Sequence, residues 1–340
     1  MNVSKLSFAF AVLSYNHQDY IIEHLESIKY LVEQYGQGMV FQIIFNDDAS
    51  KDGTVTLADA WLEKNAHLFA KIDKLYNKNN LGTCKSVCNV VDALQSSYCK
   101  ITAGDDVYSW ENLFSLIPSL NEFDIASGLP LDLTDGRISK NNSDIFHLLA
   151  SACIYENDLL INRLKGISVN NAPSIIYRAE HLKNKDIMAF VAGFDVVEDW
   201  PLQIAIAEAA PISRLGTVST VFVYYRRTAG STYLVASSRF YKDQVKVFEY
   251  LIAREPSFIA RWVLRNRLLC FKSGSRLVKR LFNVAVFIYG LKCLLSFFSI
   301  RKQVQVFEVD VDRHGRYYAD VKHRALEFVQ SIRPDGQASS

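Results

Sequence analysis

Phe8-Ala-Phe-Ala-Val-Leu-Ser-Tyr-Asn-His17 opens as an apolar run with no polar face and ends in a polar turn. Such a run suits a strand buried on both faces of a sheet, because alternate side chains point to opposite sides and both sides meet core. The pattern then repeats. Between Tyr20 and Tyr35, Ile21, Leu25, Ile28 and Val32 fall at helical spacing, and Val40-Phe-Gln-Ile-Ile-Phe45 is a second buried strand. A helix over Gly53 to Glu63, entered through a Ser50 or Asp52 cap, is followed by a strand over Lys71 to Tyr76. A helix over Thr83 to Leu94 and a strand over Tyr98 to Thr102 complete the series. Strand and helix alternating at these lengths predict an α/β fold around a mixed or parallel sheet flanked by helices.

In open parallel sheets, ligands bind outside the carboxyl ends of the strands. Here those ends carry four polar turns: Ser14-Tyr-Asn-His17, Asn46-Asp-Asp48, Asn77 to Gly82 and Gly104-Asp-Asp106. Adjacent carboxylates are costly in a fold unless solvent, donors or a cation compensate them. A hard divalent ion does so and can hold a diphosphate at the same time. The plain alternative for Asp105-Asp106 is a solvated turn with a helix-capping Asp. The second acidic turn, Asp47-Asp48, favours the ligand reading. Neither Gly-x-Gly-x-x-Gly nor Gly-x-x-x-x-Gly-Lys is present, which argues against a dinucleotide or P-loop cradle. A nucleotide held by side chains and a metal fits better.

Downstream, Ile125 to Arg137 is rich in Gly, Pro and Asp and reads as loops with short strands. Val196-Val-Glu-Asp-Trp-Pro-Leu202 leads into an apolar helix, Gln203 to Ala209. Asp199 there reads equally as a cap or a favourable anion at a helix start, with Pro201 in the first turn. Val221-Phe-Val-Tyr-Tyr225 is a strand ending in the basic turn Arg226-Arg-Thr-Ala-Gly-Ser231, suited to phosphate oxygens. His24 and His67 read as surface residues of helices and His17 as a solvated loop residue. Trp200 reads as a sugar-stacking platform or as core packing.

Taken in order, Ala11-Val-Leu-Ser-Tyr-Asn16, Phe45-Asn-Asp-Asp-Ala-Ser-Lys-Asp-Gly-Thr54, Asn80-Leu-Gly82, Ala103-Gly-Asp-Asp106, Glu198-Asp199 and Tyr225-Arg-Arg227 with Ser231 resemble the motifs of family 2 glycosyltransferases with the GT-A fold. The resemblance reaches residue 232, which divides the chain into a catalytic domain (1–232) and a C-terminal helical region (233–340). It implies an inverting enzyme of the kind that builds bacterial capsule, O-antigen or other surface polysaccharide. A sugar would pass from a nucleotide-diphospho-sugar, by default UDP-hexose or UDP-N-acetylhexosamine, to a hydroxyl of a glycan acceptor, lipid-linked or free.

Carried over residue by residue, the resemblance places Ser14, Tyr15 and Asn16 by the nucleotide. Asp47 and Asp48 include the carboxylate that reads the base, and Asn80 and Gly82 complete the pocket. Asp105 and Asp106 match the acidic metal motif for Mg2+ or Mn2+, with Asp106 the main ligand. Ala103 stands where many members carry a further Asp, and Thr228 near where many carry a His. Arg226 and Arg227 occupy the pyrophosphate position. Asp199 matches the base that deprotonates the acceptor hydroxyl, with Glu198 flanking it or orienting the acceptor. Tyr155, Asn170 and Asn171 precede Ala172-Pro173, where relatives often line the acceptor site. Two other classes compete: a non-catalytic nucleotide-sugar or glycan-binding protein, which would not need Asp199, and a sugar nucleotidyltransferase. The latter would bring a Gly-rich, cationic loop after the first strand, and Ser14-Tyr-Asn-His-Gln-Asp19 is not one.

The net charge of +2 conceals an uneven distribution. From Arg254 to Lys302 eleven Lys/Arg face one acid, Glu255, so the rest of the chain is acidic. Phe258 to Arg280 mixes apolar and basic residues as a helix lying on an anionic membrane would. Leu281 to Ile300 carries only Lys292 as a charge over twenty residues, enough to span a bilayer if straight. A peripheral or shallowly inserted hairpin is the favoured expectation. A helical bundle packed on the catalytic domain, or a homodimer contact, is the alternative. The six cysteines form no Cys-x-x-Cys pair and read as reduced thiols. No signal peptide is expected, because the first apolar run stops at Ser14. The expected place is the cytoplasm, at the inner face of the plasma membrane, with no nucleic-acid partner. The 335–340 tail reads as disordered.

Overall fold

The opening apolar run is strand β1 (Ser7–Ser14), and the alternation that follows it is the one the sequence predicts: α1 (Ile21–Tyr35), β2 (Val40–Asp47), α2 (Thr54–Lys64), β3 (Lys71–Tyr76), α3 (Thr83–Ala93) and β4 (Tyr98–Ala103). The structure is a computed structural model that describes residues 6–227 and 239–332. The expectations for Thr228, Ser231 and the 335–340 tail lie outside the described residues. Strands β1, β2 and β4 pair in parallel, and so do β2 and β3. Their carboxyl ends therefore share one rim, which is what brings the four polar turns together.

The second half of the sheet runs differently. After β5 (Val107–Tyr108) come β6 (Ile125–Thr134), β7 (Arg137–Ser139), α4 (Asn142–Ile154), α5 (Leu160–Lys165), β8 (Ile175–Arg178), α6 (Ala179–Leu182), α7 (Lys185–Val191), α8 (Asp199–Ala209) and β9 (Leu215–Arg226). One nine-stranded sheet results, in the order β3-β2-β1-β4-β8-β6-β9-β5, with β7 on β6. β8 is antiparallel to both β4 and β6, so the sheet is mixed.

β6 corrects the expectation of loops with short strands. It is a ten-residue, almost fully buried strand between β8 and β9. Gly128 and Pro130 sit where its register with β9 shifts, a break that removes the need for regular ladder bonds. A side chain at Gly128 would collide with the Phe222 ring.

Core lies on both faces. On one, Phe8, Phe10, Phe41, Tyr108 and Phe114 pack beneath α1, with Phe10 and Tyr108 ring centroids 5.6 Å apart and edge-on. Truncating such a ring to Ala costs roughly 3–5 kcal/mol. Trp61 of α2 is fully buried there, its indole N–H donating to Glu26 Oε1 at 2.7 Å. On the other face, α3, α7 and α8 cover β1 and β4 through Val87, Val90, Val191, Leu202 and Ile206.

The chain then forms α9 (Arg239–Arg254), α10 (Phe258–Lys272), α11 (Arg276–Leu281), α12 (Val284–Leu295), α13 (Phe297–Val306) and α14 (Val311–Ile332). The amphipathic stretch 258–280 is two helices, broken at Gly274, whose φ of +68° ends α10. The apolar stretch 281–300 is also broken. α12 and α13 are bent by 75°, and among the described residues no single helix is long and apolar enough to cross a membrane. α14 returns to the catalytic side, where Tyr317, Tyr318, Val321, Ala325 and Phe328 are buried. All six cysteines are free thiols.

Candidate active site

The rim where β1, β2 and β4 end holds an unusual concentration of buried polar atoms without partners among the described residues. Ser14 Oγ, His17 Nδ1, both amide atoms of Asn46, and Asp106 Oδ2 are all of this kind. Buried polar groups are ordinarily satisfied, so a cluster of orphans along one edge marks a place that ligand or water completes.

Asp47 and Asp48 are both buried, and both are occupied by the chain itself. Asp48 Oδ1 accepts from Leu81 N and Asn77 Nδ2, each at 2.8 Å, and its Oδ2 accepts from Gly82 N at 2.9 Å. Asp47 accepts from the amide and hydroxyl of Ser50. Asp48 thus shapes the 77–82 turn that carries Asn80, an exposed residue. Gly82 has φ +87°, and a Cβ there would lie 2.6 Å from the carbonyl and carboxylate oxygens of Asp195. Only glycine fits this approach. Asn16, itself at φ +56°, is structural in the same way: its amide donates to Ser50 Oγ and its side chain accepts from Lys51 N, both at 2.8 Å. Tyr15 beside it is 44% exposed, which leaves its ring free to meet a ligand.

The β4 turn is built otherwise. Asp105 is half-buried and Asp106 fully buried. Asp106 Oδ1 accepts from Arg226 N at 2.9 Å, its carbonyl meets His24 Nδ1 at 2.8 Å, and its Oδ2 has no partner among the described residues. Burial first, and then the neighbouring Asp105 charge, hold the Asp106 carboxyl well above the usual carboxylate range. His17 closes the turn from the β1 side, its Nδ1 3.2 Å from where a Gly104 Cβ would stand.

Behind this turn lies a set of buried ionisable residues, of which Lys100 was not singled out from sequence. His24 is wholly buried, which corrects the expectation of a surface residue, and burial pushes its pKa down to about 4. Lys100 of β4 is also wholly buried, its ammonium donating to the carbonyls of Pro173 and Ile175, with its pKa lowered to about 7 by desolvation. Arg226, expected at phosphate, is buried: its Nε donates to Asp105 O at 2.6 Å, it pairs with Glu23, and Glu23 accepts from Tyr318 as well. Arg227 bridges Asp132 at 3.0 Å and Asp144 at 2.6 Å. Both arginines hold the end of β9 through acids of other elements. The second half of the basic turn lies outside the described residues.

Glu198 and Asp199 stand at the start of α8, both half-buried. Asp199, the first residue of the helix, accepts from Trp200 N through Oδ1 at 2.8 Å, which satisfies one first-turn amide. Burial raises the Asp199 carboxyl. Burial and then the Asp199 charge raise Glu198 to about 8. Both carboxyls therefore hold their protons more tightly than ordinary carboxylates, the setting in which an acidic pair takes part in proton transfer. Trp200 packs edge-on against Phe248 at 5.1 Å with the Arg267 guanidinium 5.7 Å from its ring, so it is tied to α9 and α10. Asn170 bridges Arg163 and Gln203, and Tyr155 is buried with its hydroxyl on Ile167 O. Asn171 accepts from Ser174.

No three His, Cys, Asp or Glu side chains among the described residues gather into a metal-binding group. The fit to a divalent ion rests instead on Asp106 Oδ2, a buried acceptor without a donor beside a second carboxylate. A cation would complete that pair, since no described group donates to this oxygen.

Comparison with known proteins fits this geometry. Residues 10–175 match the family described as Glycosyl transferase family 2. No curated protein matches the sequence. Among solved structures, S. aureus TarS 1-349 in complex with UDP-GlcNAc superposes with a TM-score of 0.54 at 17% identity, covering 96% of this chain and 90% of that one. A longer S. aureus TarS structure gives 0.55 at 17% identity over 98% of this chain, which spans only 56% of that chain. The mannosyltransferase PcManGT from Pyrobaculum calidifontis, with GDP-Man and Mn2+, gives 0.53 at 13% identity, covering 96% and 88%. At these identities the likeness speaks to the fold.

Proposed function

Because this chain is a glycosyltransferase of family 2 with the GT-A fold, we propose that it moves a sugar, with inversion, from a nucleoside-diphosphate sugar to a hydroxyl of a glycan acceptor. The observation that carries the reading is the contrast between the two acidic pairs. One has a buried carboxylate oxygen without a donor among the described residues, and the other holds two carboxyls whose proton affinities are both raised. Neighbours in complex with UDP-GlcNAc, or with GDP-Man and Mn2+, support a nucleotide-sugar donor and a divalent ion. UDP is the proposed nucleotide.

Asp106 and Asp105 would hold Mg2+ or Mn2+ against the donor diphosphate. With the ion bound, the charge gathering on the departing diphosphate is neutralised. Asp199 takes the proton of the acceptor hydroxyl as that oxygen attacks the anomeric carbon from the face opposite the leaving group. The sugar–phosphate bond breaks as the new glycosidic bond forms, so an α-linked donor yields a β-glycoside. Its raised proton affinity makes Asp199 a stronger base than an ordinary carboxylate, and neutral Glu198 can donate a hydrogen bond without adding a second charge. Asp48 acts at one remove, fixing the 77–82 turn beside the nucleotide.

The acceptor proposed is lipid-linked, in the synthesis of a bacterial surface polysaccharide at the cytoplasmic face of the membrane. The exposed apolar side chains of α10 to α13, among them Trp262, Leu269, Phe282, Leu294 and Phe298, support this, interleaved with Arg265, Lys272, Arg276 and Arg280. Salt-sensitive co-sedimentation with anionic, but not zwitterionic, vesicles is expected. Self-association without vesicle binding would assign that face to a homodimer instead.

A panel of nucleotide sugars, each with Mn2+ or Mg2+ and with EDTA, tests the central reading. A true donor at about 100 times its dissociation constant adds roughly 2.7 kcal/mol of stability, and EDTA should remove it together with transfer. Failure of every nucleotide sugar to stabilise the protein or to be consumed would sink the reading. Donor binding without transfer to any glycan would instead favour a binding protein.

A further inference from the structure

We propose that Asp243, on α9, is a positioning residue that holds the turn carrying Glu198 and Asp199 in its transfer-competent place. The inference rests on the reading of Asp199 as the base. Asp243 lies well beyond the family match and is buried, 6% exposed. Its Oδ2 accepts from three consecutive backbone amides: Asp195 N at 2.9 Å, Val196 N at 2.7 Å and Val197 N at 3.1 Å. Three N–H groups converging on one oxygen form an anion nest, and an anionic acceptor there is worth about twice a neutral one per bond. The amides belong to the residues directly before Glu198, so their placement fixes where α8 begins and where its first two carboxyls point.

The same turn is held from two other directions. Arg239, one helical turn before Asp243, pairs with the Asp195 carboxylate and holds it below the usual range. The Asp195 carbonyl accepts from Cys84 N at 3.2 Å, at the start of α3. It also abuts Gly82, whose amide is bound to Asp48. Asp243, the 195–197 turn, Gly82 and Asp48 therefore form a continuous contact path between the base and the turn beside the nucleotide. Removing Asp243 leaves three amide dipoles without their acceptor in a buried place, and the turn must shift to find others. A displacement of about 1 Å in a reacting group costs on the order of 10²-fold in rate.

The test compares Asp243→Asn and Asp243→Ala with wild type, in the wild-type and Asp199→Asn backgrounds. Readouts are kcat for transfer, donor dissociation constant by titration with the nucleotide sugar and Mn2+, and thermal midpoint. Asn keeps a neutral acceptor oxygen, so the loss should be graded: about 10-fold in kcat for Asp243→Asn and about 100-fold for Asp243→Ala. Donor affinity should stay within about 3-fold. Because Asp243 acts through Asp199, Asp243→Ala should slow the Asp199→Asn enzyme by less than about 3-fold. Wild-type kcat in folded Asp243→Ala overturns the proposal. So does a loss of kcat matched by an equal loss of donor binding, or full additivity with Asp199→Asn. A normal rate for Asp199→Asn alone overturns the base reading. The split between kcat and donor affinity in Asp243→Ala then decides positioning by itself.

Discussion

The two acidic pairs are made in opposite ways. Asp105-Asp106 arises locally, at the end of β4, where a strand, a glycine and a turn put two carboxyls on the rim within a few residues of each other. Glu198-Asp199 is assembled from a distance: its turn is held by Asp243 and Arg239 from α9 and by Cys84 from α3. The first pair keeps an oxygen without a partner among the described residues, and the second keeps two carboxyls of raised proton affinity. A third pair, Asp47-Asp48, looks the same in sequence, but each of its carboxyl oxygens already accepts from a backbone or side-chain donor. Burial alone does not make a carboxylate functional. What the chain leaves unsatisfied, or holds away from its ordinary proton affinity, does.

The sharpest way to break the comparison is Asp106→Ala. If that oxygen holds the ion, transfer should fall by at least about 10³-fold and EDTA should have no further effect, since electrostatic stabilisation of the leaving charge is the largest contribution asked of the site. Metal-dependent turnover at the normal rate in this variant would remove the metal role from the pair.

Next is Asp199→Asn, which should lower kcat by roughly 10²–10⁴-fold while leaving donor binding intact, the range for loss of a general base. Equal loss of donor binding would move Asp199 to the nucleotide side.

A smaller effect separates the members of the second pair. The base works only when deprotonated, so wild-type transfer should rise with pH as Asp199 loses its proton, above the range of an ordinary carboxylate. A further inflection is expected near pH 8 as Glu198 ionises. Glu198→Gln imitates the neutral partner. It should lose less than about 10-fold at pH 7 and should lack the inflection near 8. Persistence of that inflection in Glu198→Gln would detach it from the pair.

The smallest effect on activity, though not on stability, concerns His24 behind the Asp106 turn. Its pKa is lowered from 6.5 to about 4, so the folded protein holds it neutral while the unfolded chain takes up a proton. Its contribution is present above pH 6.5 and lost as pH falls toward 4. The shift corresponds to roughly 3 kcal/mol. Urea unfolding at pH 7 and pH 4.5 should show a drop for wild type that His24→Gln reduces. An identical drop in both would show that other groups govern acid stability.

Much of this was readable in advance. The strands at Phe8, Val40, Lys71 and Tyr98, the first three each followed by a helical period, fall on β1 to β4 because strand–helix alternation leaves a local signature. The polar turns fall on one rim because those strands are parallel. β6 was not readable, since Gly128, Pro130 and Asp132 resemble a loop until β8 and β9 bury them from both sides. His24 and Asp243 were not readable either. A polar residue on an amphipathic helix looks solvated, and its partners are 82 residues away in one case and up to 48 in the other.

The sequence by itself determined the parallel half-sheet, its polar rim and the family to which the chain belongs, because these depend on periodicity and on motifs a few residues long. Tertiary structure alone decided which acids were consumed as scaffolding, as Asp48 is, and which kept a free oxygen, as Asp106 does. It also decided that Glu198 and Asp199 would both be raised in proton affinity and that a C-terminal helix would hold their turn. Desolvation and hydrogen-bond satisfaction depend on which distant groups arrive within about 3 Å, and residue order does not reveal that.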